Sequence, residues 1–235
     1  MFPFTRKKVA MLRYTPLGRL EGLGVALGSA VVSFLDPERV DMVALLGEVT
    51  GGPALARLRG VMRGSAEGRA VLAQRPLVRG PLFDAQAMVR TMPLGSFGAA
   101  YGLYMSDHGF SADARTPVRF VADAELAYVM TRYREVHDFL HVLSGLPTTV
   151  VGEVALKWLE MAQTGLPVAA LSALVGPLRL GREDRALLLG TLAPWALRTA
   201  AACPPLIAVR YEDLLPLPLA EARVRLGIVP APPLA

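Results

Sequence analysis

His137 and His141 stand four residues apart in the run His137-Asp138-Phe139-Leu140-His141. On an α-helix, residues four apart lie one above the other on the same face, so the two imidazoles would point at one spot, as they do in metal-binding helix pairs. Asp138 is roughly 100° round the helix from His137 but three residues from His141, and so flanks the same face. It could ligate a metal directly, or orient a ring N–H from outside the coordination sphere. Glu153 is the fourth candidate. His141 lies four residues before Gly145 and Glu153 five residues after Thr148. If two helices fold back antiparallel around Gly145-Leu146-Pro147-Thr148, both residues sit about 6–8 Å along their helices from the turn and face each other. Two nitrogens and two carboxylates then converge, a ligand set suited to Zn²⁺ or another divalent ion. Lys157, one turn after Glu153, is placed to neutralise that carboxylate. Tyr133, one turn before His137, could donate to a bound ligand or simply pack in the core.

A lone helical histidine is more often structural than a ligand, but a pair at this spacing with two acids at the same level is harder to explain that way. Other metal chemistries fit poorly. The H-E-x-x-H pattern fails, because position 138 is Asp and position 140 is Leu. A histidine–aspartate phosphohydrolase needs further ligands, and His108 is the one histidine left. No nucleophile or phosphate cradle accompanies the four residues, which disfavours a hydrolase. Cys203 is the single cysteine, which excludes a disulfide framework and any multi-cysteine metal site.

The elements that must position these residues read as helical nearly throughout. Asp123 is placed to cap a long helix running to about Leu143 and ended by Gly145, and a second long helix stops near Thr164-Gly165. Upstream, Leu20 to Leu35 is an apolar stretch, and Asp36-Pro37 reads as the cap and first residue of the next helix, which ends at Gly51-Gly52. Pro53 restarts a short helix, and Ala66 to Gln74 forms another. Residues 76–120, punctuated by proline and glycine, read as loop with short helices around Asp84–Met92 and Ala99–Ser106. Val118 to Val121 and Leu206 to Val209 look like brief extended pieces. Arg182 to Ala202 reads as a helix bent or broken at Pro194. No internal repeat and no linker divides the chain, so the expected fold is a single-domain all-α helical bundle with a metal-binding αα-hairpin, spanning residues 14–235.

Charge locates a separate feature. The chain has 235 residues, with 25 Lys and Arg against 20 Asp and Glu. Arg6, Lys7, Lys8, Arg13 and Arg19 all precede the first acid, Glu21, and the rest of the chain balances at 20 basic and 20 acidic groups. The net charge of +5 therefore belongs to the N-terminus and not to a nucleic-acid-binding face, so no nucleic-acid partner is expected. Residues 1–13 read as a basic leader, of a kind that suits targeting or a membrane surface. Mean hydropathy is high, +0.40, yet no apolar run reaches the ~18 residues of a membrane span. The runs Leu20–Leu35 and Leu166–Leu178 read either as core helices or as segments that line a lipid-tail tunnel or lie against a bilayer.

The segments Glu125–His141 and Gly145–Pro167 resemble the signature of the fourth coenzyme Q (ubiquinone) biosynthesis protein family, in which H-D-x-x-H is followed by eleven residues and E. His137, Asp138, His141 and Glu153 match it at every position. The resemblance continues through Thr15-Pro16-Leu17, Asp41-Met42-Val43-Ala44, Gly176-Pro177-Leu178-Arg179-Leu180-Gly181 and Arg210-Tyr211-Glu212, and covers residues 14 to 228. Pro216 and Pro218 depart from it, where the family continues a charged C-terminal helix. The resemblance implies an all-α, peripheral protein of the mitochondrial inner membrane on its matrix side, or of the cytoplasmic membrane face in a bacterium. It also implies a homodimer that works among other ubiquinone-biosynthesis proteins on a polyprenylated benzoate or quinone lipid. The implied reaction is metal-dependent C1 decarboxylation of a polyprenylated 4-hydroxy-3-methoxybenzoate, with C1 hydroxylation as a coupled step. His137, Asp138, His141 and Glu153 would be the metal ligands, with Asp138 or Tyr133 assisting protonation of the ring. The alternative is a non-catalytic, lipid-binding scaffold that organises the biosynthetic assembly.

Overall fold

The computed structural model describes residues 14–36 and 39–234. Among them the chain is helical and has no β-strand, only an isolated antiparallel bridge between Ser96 and Pro218. The helices in order are α1 (Arg19–Leu35), α2 (Val40–Thr50), α3 (Gly52–Gly64), α4 (Ala66–Gln74), α5 (Ala85–Thr91) and α6 (Phe97–Asp107). They continue with α7 (Ala124–Ser144), α8 (Val150–Thr164), α9 (Pro167–Val175), α10 (Arg182–Leu187), α11 (Ala193–Ala202) and α12 (Leu219–Leu226).

The long helix α7 organises the rest. It starts where the Asp123 side chain accepts from the backbone N–H groups of Glu125 and Leu126, and it ends on Gly145 at φ +76°, a left-handed C-cap that glycine adopts without strain. No proline or glycine interrupts its 21 residues. Its N-terminal half, through Tyr128, Val129, Met130 and Tyr133, packs into one apolar cluster with α2, α3, α4 and α9. Its C-terminal half, through Val136, Phe139, Leu140 and Leu143, packs into a second cluster with α6, α8, α11 and α12. Phe139 is fully buried, with its ring centroid 4.6 Å from that of Tyr101 and 5.3 Å from those of Phe97 and Tyr211. Burying a side chain of this size contributes about 1.5–3 kcal/mol, so this anchor fixes the rotation of α7 and hence the direction of its histidine face.

Several local expectations are corrected. Helix α2 starts at Val40 with Arg39 at its cap, not at Asp36-Pro37, and Pro37 itself lies outside the described residues, as does the basic leader 1–13. The Val118–Val121 segment has no strand partner, and Leu206–Ala208 is a turn of 3₁₀ helix, because no neighbouring strand offers a ladder. The Arg182–Ala202 helix is interrupted ahead of Pro194 by a π-helical turn at Leu188–Leu192. Pro194 has no N–H to give to the carbonyl one turn back, and the wider turn accommodates that missing bond. At the other end, Pro218 caps α12 instead of breaking it, since proline ahead of the first turn surrenders no helical hydrogen bond.

Candidate metal centre

The turn after α7 returns the chain so that His141 meets Glu153 and His137 meets both Glu153 and Glu160, an antiparallel register between α7 and α8. Thr149 caps α8 by accepting from the Gly152 N–H. Gly152 is required there by close approach: a Cβ on it would lie 2.2 Å from the Pro147 carbonyl oxygen. The next residue in the chain is Glu153, so the tight turn sets where that carboxylate stands.

His137, His141 and Glu153 each direct one ligand atom into a common space, all within 4.8 Å of one another. His141 Nε2 is 3.1 Å from Glu153 Oε1, and His137 Nε2 is 3.4 Å from Oε2. The opposite ring nitrogens are already committed. His141 Nδ1 lies 3.0 Å from the Leu146 carbonyl oxygen, and His137 Nδ1 lies 2.7 Å from Glu160 Oε1. A carbonyl and an ionised carboxylate only accept, so each ring keeps a proton on Nδ1 and turns Nε2 to the shared space. His141 Nε2 is buried and makes no hydrogen bond. Nε2 of each ring thus faces an oxygen of the Glu153 carboxylate, an arrangement that a proton or a metal cation between them completes. The donor set of two imidazole nitrogens and a carboxylate is one that Zn²⁺ and similar divalent ions accept, and three protein ligands leave a position free for water or substrate. The residues fit the group.

Behind the ligands lies a layer that sequence reasoning missed. Glu160 is almost fully buried and accepts from His137, from Lys157 Nζ at 2.6 Å and from the Tyr133 hydroxyl at 2.9 Å. Lys157 therefore pairs with Glu160 and not with Glu153, as its sequence position had suggested. Tyr133 is buried behind His137 with its hydroxyl on Glu160, and burial, then the Glu160 charge, keep that hydroxyl protonated. Burial alone would push the Glu160 carboxyl up, but Lys157 and His137 outweigh it and hold the group at about 2. Burial and the Lys157 charge push His137 down, while Glu160 and the hydrogen bonds to Glu153 and Glu160 prevail and raise it to about 9. Burial likewise opposes ionisation of Glu153, and the two imidazoles hold it well below the usual carboxylate range.

Asp138 does not join the three converging residues. Its carboxylate is held by the Arg115 guanidinium, which also donates to the Ala112 carbonyl at 3.1 Å. Arg115 comes from the loop ahead of α7, and no spacing rule in the sequence marked it. Tyr104 of α6 closes another side, its ring stacked on His141 at a centroid distance of 5.7 Å. Burial, then the nearby Asp138 and Glu153 charges, raise its hydroxyl well above the ordinary phenol range. His108, in a loop after α6, hydrogen-bonds through Nδ1 to the Tyr104 carbonyl and is not among the grouped ligands.

Residues 13–232 match the family described as Coenzyme Q (ubiquinone) biosynthesis protein Coq4. The chain belongs to this family. It is 44% identical over 219 residues to the mitochondrial ubiquinone biosynthesis protein COQ4 homolog of Bos taurus, covering 93% of this chain and 82% of the relative. The human mitochondrial homolog is 42% identical over 221 residues, 94% of this chain and 83% of its own length. The mitochondrial COQ4 of the fungus Laccaria bicolor is 45% identical over 215 residues, covering 92% and 72%. A crystal structure of a putative ubiquinone biosynthesis protein from Nostoc punctiforme shares the fold, with a TM-score of 0.69 at 22% identity over 88% of this chain and 96% of that one. Among the described residues no helix is long and apolar enough to cross a membrane. The all-α Coq4 fold, ubiquinone biosynthesis as its setting, and a group able to hold a metal ion are thus established together.

Proposed function

We propose that this Coq4-family chain is a metal-dependent decarboxylase acting at C1 of a polyprenylated 4-hydroxy-3-methoxybenzoate. The observation that carries the reading is that Nε2 of both histidines faces the Glu153 carboxylate, with each ring fixed by an acceptor behind it. A divalent ion, Zn²⁺ by the chemistry of the donors, would supply Lewis acidity to an oxygen of the bound acid. The reaction balances without an oxidant. The bond between ring C1 and the carboxyl carbon breaks, carbon dioxide leaves, the electron pair stays on the ring, and one proton is taken up at C1. Stabilising that pair and delivering that proton are the tasks left to the chain.

The residues divide accordingly. His137, His141 and Glu153 would hold the ion. Tyr133 acts through Glu160, which fixes the His137 ring. Asp138 lies on the helical turn between the two histidines and is still partly accessible, and we assign it the proton transfer to C1. Tyr104 walls the ring side of the site and excludes water from His141.

Helix α1 supports the setting. Leu20, Leu23, Leu27, Val31 and Leu35 are all exposed and recur at three- and four-residue spacing, one face of the helix. That face favours peripheral association with the inner membrane that holds the lipid substrate, as part of a homodimer and beside other ubiquinone-biosynthesis proteins. The same face is what a scaffold would use. The two readings part in His141→Ala and Glu153→Ala. A decarboxylase loses metal and product in these variants while staying folded. A scaffold supports full ubiquinone synthesis in cells without the metal.

A further inference from the structure

Two of the arginine–carboxylate pairs on helix α7 are of opposite character. Arg132 meets Glu212 through two parallel contacts, 2.6 and 2.9 Å, and also donates to the Val209 carbonyl at 3.0 Å. That pair is sealed, with side chains 0% and 5% exposed, and is a structural strut. The other pair, Arg115–Asp138, makes a single charged contact and is left ajar, with 15% and 17% of the side chains exposed. It sits on the turn between the two histidines of the metal centre. Arg115 is fixed from behind by the Ala112 carbonyl, so its guanidinium stays in place if its counter-ion moves.

The buried Tyr101 lies behind the guanidinium and helps to hold it in place. A guanidinium offers paired N–H donors that match the two oxygens of a carboxylate.

Deepening the proposed decarboxylation, and resting on it, we infer that Arg115 forms the subsite for the carboxylate of the aromatic acid, with Asp138 as the resting counter-ion that the substrate displaces. Arg115 is then a substrate-binding residue, and Asp138, freed from it, is left beside the ring. The sealed Arg132–Glu212 pair cannot play this part, because no ligand reaches it.

The test is equilibrium binding to the metal-loaded full chain, read by tryptophan fluorescence or calorimetry. The probes are a short-tailed prenyl 4-hydroxy-3-methoxybenzoate, its methyl ester and the corresponding decarboxylated phenol. The wild type is expected to prefer the acid over both neutral probes by about tenfold or more, the scale of a charge-assisted hydrogen bond. Arg115→Gln abolishes the preference with metal content unchanged, and Arg115→Lys, which keeps the charge without the fork, retains part of it. Should Arg115→Gln fail to fold, Arg115→Lys carries the test and is expected to narrow the preference. A wild type indifferent to the carboxylate, or variants that keep the full preference, would overturn the assignment. An Arg115-dependent preference without any release of carbon dioxide would leave the subsite standing and remove the decarboxylation. Turnover in a variant whose preference is intact would do the reverse.

Discussion

Oε1 of Glu160 stands 2.7 Å from Nδ1 of His137, in a position from which water is almost wholly excluded. The contact joins a proposed metal ligand on α7 to a carboxylate on α8 that lies outside the group of converging ligand atoms. It fixes the ring orientation and tautomer of His137, and strengthens its Nε2 as a donor. Glu160→Gln is expected to weaken metal affinity about 10–100-fold in competition with a chromophoric chelator. The single variant also leaves Lys157 buried without its counter-ion, which destabilises the fold. Glu160→Gln combined with Lys157→Met restores the melting temperature but not the affinity. Wild-type affinity in the double variant would contradict the role given to Glu160.

Proton linkage gives a second prediction. In the metal-free protein His137 is raised from 6.5 to about 9, so at pH 7–8 it carries a proton that must leave when Nε2 ligates. Calorimetric titration with Zn²⁺ in buffers of different ionisation enthalpy should show a proton released, with the amount declining as pH rises through 9. The sign for stability follows from the same shift. A folded pKa above the unfolded one stabilises fully below about 6.5 and is lost as pH rises through about 9. Glu160, lowered from 4.5 to about 2, stabilises above 4.5 and loses its effect as pH falls through about 2. The chelated protein should therefore lose melting temperature between pH 6.5 and 9. A chelated protein with a flat profile over that range would contradict it.

The α7–α8 turn makes a mechanical prediction. In Gly152→Ala the new methyl carbon would meet the Pro147 carbonyl oxygen at 2.2 Å, so the backbone must shift. An overpacked site of this kind costs about 1–3 kcal/mol. Because Glu153 is the adjacent residue, metal affinity should fall with stability. Gly60→Ala is the control: Gly60 is exposed inside α3, nothing lies within 4 Å of its added carbon, and the variant should be as stable as wild type or up to about 1 kcal/mol more so. Thermal melts and metal titrations of the pair distinguish a local effect on the turn from a general intolerance of substitution.

Arg132→Met tests the contrast between the Arg132–Glu212 and Arg115–Asp138 pairs of α7. Removing one partner of a sealed pair strands the other, and the expected loss is about 3–5 kcal/mol in denaturant unfolding. Metal stoichiometry of the folded fraction should be unchanged, since Arg132 reaches Glu212 and Val209 and not the ligands. A loss below 1 kcal/mol would show that the pair is not a strut.

What the sequence disclosed depended on the range over which its rules act. Asp123, Gly145 and Gly165 punctuate helices by local backbone chemistry, and the structure places caps at all three. The meeting of His137, His141 and Glu153 followed from helix periodicity and equal distances from one turn. Glu160 was missed because it lies two turns beyond Glu153 and reads as one more polar residue on an amphipathic helix. A backward count from the turn would have found it opposite His137. Arg115 had no such signal, because a loop residue's partner is decided by tertiary packing. The pairing of Lys157 was misjudged for a related reason: Glu153 and Glu160 are both within its helical reach, and burial of Glu160 decides between them. At Leu206 the β-branched and apolar run suggested a strand, but an extended segment needs a partner, and the helical surroundings supply none.

The central claim is tested most directly by release of labelled carbon dioxide from a carboxyl-labelled, short-tailed prenyl 4-hydroxy-3-methoxybenzoate. The purified protein loaded with Zn²⁺ is compared with the chelated protein and with Glu153→Ala. The account predicts stoichiometric appearance of the C1-protonated phenol and labelled gas from the loaded protein alone, restored to the chelated sample by adding the ion back. A loaded, folded protein that binds the acid and releases no label, or release that persists equally after chelation and in Glu153→Ala, would contradict it.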